Sequence, residues 1–142
     1  MGVSALQADR FYRDVVEKGV VWTLRDSAGY PVPQTSNGRR TQPFWSSRAR
    51  VEKIIGTVAA YEGFEPVELS LEAFLLTWLP ELRRDGCLVG LNWSGPRASG
   101  FDAEPAAVRT CLRVASGVAR KGLPRKVRCL QGWFRWTFRM RG

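Results

Sequence analysis

SLEAFLLTWLPELRRDGCLVGL, residues 70–91, holds a helix and the strand it feeds. Ser70 stands where an N-cap is wanted. Leu71, Phe74, Leu75, Trp78, Leu79 and Leu82 recur at three- and four-residue spacing, the apolar stripe of an amphipathic helix. Arg83, Arg84 and Asp85 lead into Gly86, a standard helix stop. Cys87 to Leu91 is apolar at every position, as a strand buried on both faces would be.

Upstream, Phe64 to Leu69 reads as a short strand, and Pro66 inside it predicts an edge. A helix precedes it, capped by Ser46 or Ser47, with Val51, Ile54, Ile55 and Val58 on one face and Gly63 as its stop. Val20 to Arg25 reads as another strand, followed by a turn at Asp26-Ser27-Ala28-Gly29. An irregular hairpin through Asn37-Gly38 then returns along Gln42-Pro43-Phe44-Trp45. The first helix spans residues 4–18, with Ser4 and Gln7 as a capping box and Gly19 as its end.

Downstream, Asn92 to Gly100 reads as a Gly/Pro/Ser loop. Pro105 suits the first turn of a last helix with Val108, Cys111, Leu112 and Ala115 on its apolar face, ending at Gly117. Strands interleave with helices. The pattern predicts a single small α+β domain over residues 1–117, a short mixed sheet covered by about four helices. Residues 118–142 form a basic C-terminal extension.

The chain has 142 residues and a formal charge of +9, unevenly placed. Residues 1–105 hold 12 Lys/Arg and 13 Asp/Glu, whereas residues 106–142 hold 10 Lys/Arg and no acid. A near-neutral body with a cationic extension points to a polyanionic partner, nucleic acid or an anionic membrane surface. Within the extension Phe134, Trp136, Phe138 and Met140 alternate with Arg135, Thr137, Arg139 and Arg141. In an extended backbone this separates aromatics from cations. An edge strand packed on the body, a stacking and phosphate-neutralising surface for single-stranded nucleic acid, and an interfacial membrane element with aromatic anchoring are the readings. The polyanion contacts under the second are Lys121, Arg125, Lys126, Arg128, Trp133, Arg135, Trp136, Arg139 and Arg141.

The sequence contains no histidine, which excludes His-based triads, metal sites and pH switches. No apolar run approaches the about 18 residues of a membrane span, and the N-terminus shows no apolar signal region. Cys87, Cys111 and Cys129 form no CxxC motif, and an odd count suits unpaired thiols in a reducing cytoplasm. Glu65, Glu68 and Glu72 are an acidic group that helix-dipole complementarity at Glu72 explains without acid–base chemistry. Ser46-Ser47 lacks the glycines of a nucleophile elbow, and capping accounts for it. No catalytic, cofactor-binding or metal-binding residue is therefore expected. The residues with recognition chemistry are Trp45 and Ser46 at one strand end, and Asn92, Trp93, Ser94 and Arg97 in the loop after another. Together they would form a polar-aromatic binding surface; the alternative is that Trp93 caps the core while Asn92 and Ser94 satisfy turn backbone.

Four blocks resemble a bacterial family catalogued as domain of unknown function 2750: Phe11-Tyr12 with Val15-Val16, Val21-Trp22-Thr23-Leu24, Pro43-Phe44-Trp45-Ser46-Ser47, and Gly90-Leu91-Asn92-Trp93-Ser94-Gly95-Pro96-Arg97. The resemblance covers about residues 8–108 and leaves the basic extension outside the family pattern. It implies a small bacterial cytoplasmic protein and no activity. The element order is also similar, at the level of fold alone, to SseB-type domains and to some toxin-immunity proteins. The expected function is a non-catalytic protein-interaction module, regulatory or immunity-like, whose partner is another protein. The alternative is binding of nucleic acid or anionic lipid through the basic extension.

Overall fold

Helix α1 (Val3–Lys18) leads through Gly19, at φ +72°, into strand β1 (Val20–Arg25). A left-handed residue is what lets the chain leave a helix abruptly, and the Gly19 N–H closes the end by donating to the Val15 carbonyl at 2.8 Å. Strand β2 (Thr41–Phe44) and helix α2 (Arg48–Thr57) follow, then a single 3₁₀ turn (Ala59–Tyr61) and strand β3 (Glu65–Ser70). Next come helices α3 (Leu71–Ala73) and α4 (Leu79–Arg84), joined without a break by a π-helical segment (Phe74–Trp78). Strands β4 (Leu88–Ser94) and β5 (Ser99–Ala103) precede helix α5 (Pro105–Lys121). The computed structural model describes residues 3–34 and 38–121. The chain is an α+β domain, as its periodicities predict.

The sheet is not one ladder but two, stitched together. β1 and β3 pair antiparallel over six residues each, from Val20↔Ser70 to Arg25↔Glu65. β4 lies between β2, which is parallel to it, and β5, which is antiparallel. One bridge joins the two sheets: Trp22 and Trp45 exchange both backbone hydrogen bonds at 2.8 Å. β3 pairs only with β1 within its sheet, which suits a strand containing Pro66. The central strand expected over Cys87–Leu91 is β4, which begins at Leu88 and is buried along its whole length except Ser94.

Alternate residues of the three-stranded sheet face opposite layers. Phe44, Val89, Leu91, Phe101 and Ala103 join Phe11 and Val15 of α1, Leu79 and Leu82 of α4, and Val108 and Leu112 of α5. Trp45 and Trp93 join Leu24 and the Val51–Ile54 face of α2 in a second cluster. Helix α2 thus covers one side, and α1, α4 and α5 the other.

Several boundaries differ from the sequence expectations, each for a physical reason. Ser47 caps α2, its hydroxyl accepting from the Arg50 N–H at 3.3 Å, but the helix ends at Thr57 and not at Gly63. Val58 is already extended there, which lets it and Tyr61 turn into the second cluster. Ser70 caps α3, accepting from the Ala73 N–H at 3.0 Å. The π segment ends two residues before Pro80, which has no N–H and crowds the carbonyl four residues back. A wider turn, in which the Leu79 N–H reaches the Phe74 carbonyl, accommodates that ring. The stretch read as a loop from Asn92 to Gly100 instead contains the end of β4 and the start of β5. Helix α5 continues through Gly117, because glycine weakens a helix without ending it unless it turns left-handed. Asn37 of the expected turn and all residues after Lys121 lie outside the described residues.

Candidate functional site

The chain changes register within β4. Between Leu91 and Ser94 the ladder with β5 is interrupted, and Asn92 adopts φ +50°. Asparagine tolerates this region better than most side chains because its short amide can bond locally. The result is an inward-pointing amide. Asn92 Oδ1 accepts from the Ser46 N–H at 2.9 Å, while Nδ2 donates to Ser46 Oγ at 3.2 Å and to the Gln7 carbonyl at 3.3 Å. Ser46 Oγ donates in turn to Asp14 Oδ2 at 2.9 Å. One amide therefore ties β4 to the start of α2 and to α1.

The residue after the bulge carries the other half of the cluster. Trp93 Nε1 donates to Asp102 Oδ1 at 2.9 Å, and the Trp93 carbonyl accepts from Trp45 Nε1 at 2.8 Å. The Trp93 indole lies against two strand glycines. A Cβ at Gly90 would fall 2.5 Å from its ring, and one at Gly100 2.9 Å. Gly90, Asn92, Trp93 and Gly100 are thus one packing unit, in which two missing side chains make room for a third.

The polar-aromatic residues singled out in the sequence do come together, but inside the protein. Trp45, Ser46 and Asn92 are fully buried and Trp93 is 2% exposed. The indoles pack in the core, and the buried polar atoms satisfy backbone groups and each other. Ser94 and Arg97 are exposed, and the Ser94 hydroxyl accepts from Gln7 Nε2 at 2.6 Å. Asp102, 4% exposed, is the chemically distinctive member. Burial pushes its carboxyl up to about 7, against the lowering effect of the Trp93 N–H. Arg25 pairs with Glu65 across the β1–β3 ladder at 3.1 Å, so that carboxylate serves the sheet. Burial, with a smaller contribution from Asp85, raises the Cys87 thiol, which makes it a poor nucleophile. Lys121 ends α5, and Arg125, Lys126, Arg128, Trp133, Arg135, Trp136, Arg139 and Arg141 lie outside the described residues.

An open site lies elsewhere, where α4 packs against α5. A cleft of about 660 Å³ is lined by Leu79, Pro80, Arg83 and Arg84 from the first helix and by Pro105, Ala106, Arg109, Thr110 and Arg113 from the second. All four charged residues of the lining are arginines. Arg84 approaches Asp85 at 3.8 Å, a loose and exposed pair. Among the described residues no carboxylate stands within ion-pair distance of Arg83, Arg109 or Arg113. Arg109 and Arg113 are one helical turn apart, and like charges so spaced destabilise a helix by about 0.2–0.5 kcal/mol. Arg39 links the two helices' ends: it pairs with Glu104, just before α5, at 2.7 Å and donates to the carbonyl of Gly86, just after α4, at 2.9 Å. Sequence reasoning uses Arg83 and Arg84 only as a helix end and passes over Arg109 and Arg113. Their spacing on the face opposite Val108 and Leu112, in a segment without acids, is the signal that marks them.

The model of a family described as protein of unknown function (DUF2750) matches residues 8–112. No curated protein matches the chain. Among solved structures, Anabaena Tic22 (protein transport) is similar at 11% identity and a TM-score of 0.36, over 58% of this chain and 44% of that one. The chain therefore spans less than half the length of that structure, and at this TM-score the likeness carries no argument.

Proposed function

We propose, for a chain that belongs to the family of proteins of unknown function DUF2750, that it is a non-catalytic interaction module whose anionic partner seats in the α4–α5 cleft. The observation that carries this reading is a concave lining with four guanidinium groups, three of which meet no carboxylate among the described residues. Guanidinium presents a planar fork of donors that matches carboxylate and phosphate oxygens two at a time. An anion in the cleft would also relieve the repulsion between Arg109 and Arg113. The apolar part of the lining, Leu79, Pro80, Pro105 and Ala106, gives contact area beside the charge, as binding clefts of this size commonly do. Chemistry beyond binding finds little support there. Thr110 is the one hydroxyl in the lining, it donates to the Ala106 carbonyl at 3.1 Å, and no general base lines the cleft with it.

Isothermal titration with inorganic tripolyphosphate tests the reading. The R109Q/R113Q variant should lose at least about tenfold in affinity, as loss of charge-assisted hydrogen bonds implies. K53Q, on exposed α2 across the sheet, should bind like the parent. Equal binding by R109Q/R113Q and the parent would remove the cleft as the anion site.

A further inference from the structure

Three large hydrophobic side chains are exposed among the described side chains: Leu6, Leu76 and Val114. Helical spacing sets two of them beside the cleft. Leu76, 63% exposed, lies four residues before the lining residue Pro80 in the unbroken run from α3 to α4. Val114, 43% exposed, lies four residues after the lining residue Thr110 in α5. Residues four apart share a helix face, so each continues the lining of its own wall. Arg39 joins the end of α4 to the start of α5, and both helices extend away from that junction. Leu76 and Val114 lie about 12 Å along them. The cleft is therefore cationic along its walls and apolar at its far end. Exposed apolar side chains gain free energy when a partner's apolar groups cover them. Phosphate has no such groups to give, whereas a protein segment carries carboxylates and apolar side chains together.

We infer that the partner seated in the α4–α5 cleft is an acidic amphipathic segment of another protein, its carboxylates held by Arg83, Arg84, Arg109 and Arg113 and its apolar side chains laid on Leu76 and Val114. The inference rests on the proposed anion-binding role of the cleft and names its occupant. Guanidinium takes a carboxylate through two parallel hydrogen bonds, and arginine is enriched at protein interfaces. A helical partner lying along about 12 Å of groove makes about two turns there, and meets the walls with residues spaced three and four apart.

The test is fluorescence anisotropy on the full chain with a labelled, end-capped peptide of Glu, Ala and Leu, long enough for about four helical turns, its Leu recurring at three- and four-residue spacing. A second peptide of the same charge has every Leu replaced by Ala. Competitors are oligo(dT) and phosphatidylglycerol vesicles. The Leu-bearing peptide should bind at least about tenfold tighter than its Ala counterpart, the worth of about two buried methylenes. L76A/V114A should erase that advantage, and its retained tripolyphosphate binding would show the fold intact. R109Q/R113Q should weaken both peptides and tripolyphosphate at least about tenfold. Equal affinity of the parent for the two peptides, or an advantage that survives L76A/V114A, would overturn the inference. Tighter binding to oligo(dT) would overturn it in favour of nucleic acid, and tighter binding to vesicles in favour of a membrane surface. If R109Q/R113Q loses tripolyphosphate but keeps the Leu-bearing peptide, the occupant is wrong and the anion cleft stands. If it loses neither, both fall.

Discussion

Replacing Asp102 by Asn should remove a pH dependence of stability that the parent shows between about pH 5.5 and 8. The folded carboxyl titrates near 7, against 3.8 for the ordinary side chain. The folded state therefore keeps its proton where the unfolded chain has lost it. Stability from this group is fully present below about pH 4 and is lost as pH rises through about 7. At about 1.4 kcal/mol per pH unit between the two values, the whole effect is about 4 kcal/mol. From pH 5.5 to 8 the loss is about 2 kcal/mol, and this window avoids the ordinary carboxylates, which titrate lower. That is a large part of the about 5–15 kcal/mol that holds a domain folded. In D102N the amide oxygen can still accept from Trp93 Nε1, whose bond to Asp102 is 2.9 Å, and no charge forms on raising the pH. Urea unfolding followed by tryptophan fluorescence at pH 5.5, 6.5, 7.5 and 8 reads the effect as a falling midpoint at constant slope. The parent midpoint should fall and that of D102N should stay level. A level parent curve would refute the burial argument for Asp102, and a parallel fall in D102N would assign the dependence to another group.

Two glycines make opposite predictions. Gly90→Ala places a methyl 2.5 Å from the Trp93 ring and should cost at least about 1–3 kcal/mol in urea unfolding, as overpacking does. Gly117→Ala meets nothing within 4 Å in a helical backbone and should stabilise by about 0.5–1 kcal/mol in the same assay. Asn92→Ala leaves the buried Ser46 N–H, bonded at 2.9 Å in the parent, without its acceptor. It should cost about 1–3 kcal/mol, more than the same change at half-buried Gln7, whose side chain donates to the exposed Ser94 hydroxyl.

The strongly periodic elements were legible because their period survives in the structure. Phe74, Leu79 and Leu82 do pack in the main core with Val108, Cys111 and Leu112, as their spacing predicts. Ser47 and Ser70 cap the helices they precede. What failed was whatever depends on a partner distant in sequence. Ser99 and Gly100 read as the end of a loop, yet they open β5, where the bare Gly100 backbone leaves room for the Trp93 ring. Asn92 and Trp93 resemble a loop dipeptide for the same reason that they form a bulge: both uses favour asparagine at positive φ. Aromatic and amide groups read from sequence as recognition chemistry are also the groups a core needs when it must satisfy buried polar atoms. Periodicity cannot tell the two apart. The cation cleft was hidden differently, since Arg83 and Arg109 belong to helices that only tertiary packing brings together.

The buried cluster and the cleft are connected through the chain between them. Trp93 holds Asp102, Asp102 precedes Ala103 and Glu104, and Pro105 opens α5. Glu104 is the residue Arg39 clamps opposite Gly86 at the end of α4. The strand that the indole pins is thus the root of the helix that supplies Arg109 and Arg113. This ordering separates two roles that the sequence blends. Substitutions at Gly90, Asn92 or Asp102 should act on stability, and on tripolyphosphate binding only as far as they unfold the domain. Substitutions at Arg109 and Arg113 should act on binding while leaving the urea midpoint within about 0.5 kcal/mol of the parent, or slightly above it as repulsion is relieved. A folded D102N protein at pH 7.5 that failed to bind tripolyphosphate would break this separation, and would make the buried carboxylate part of the site and not of its scaffold.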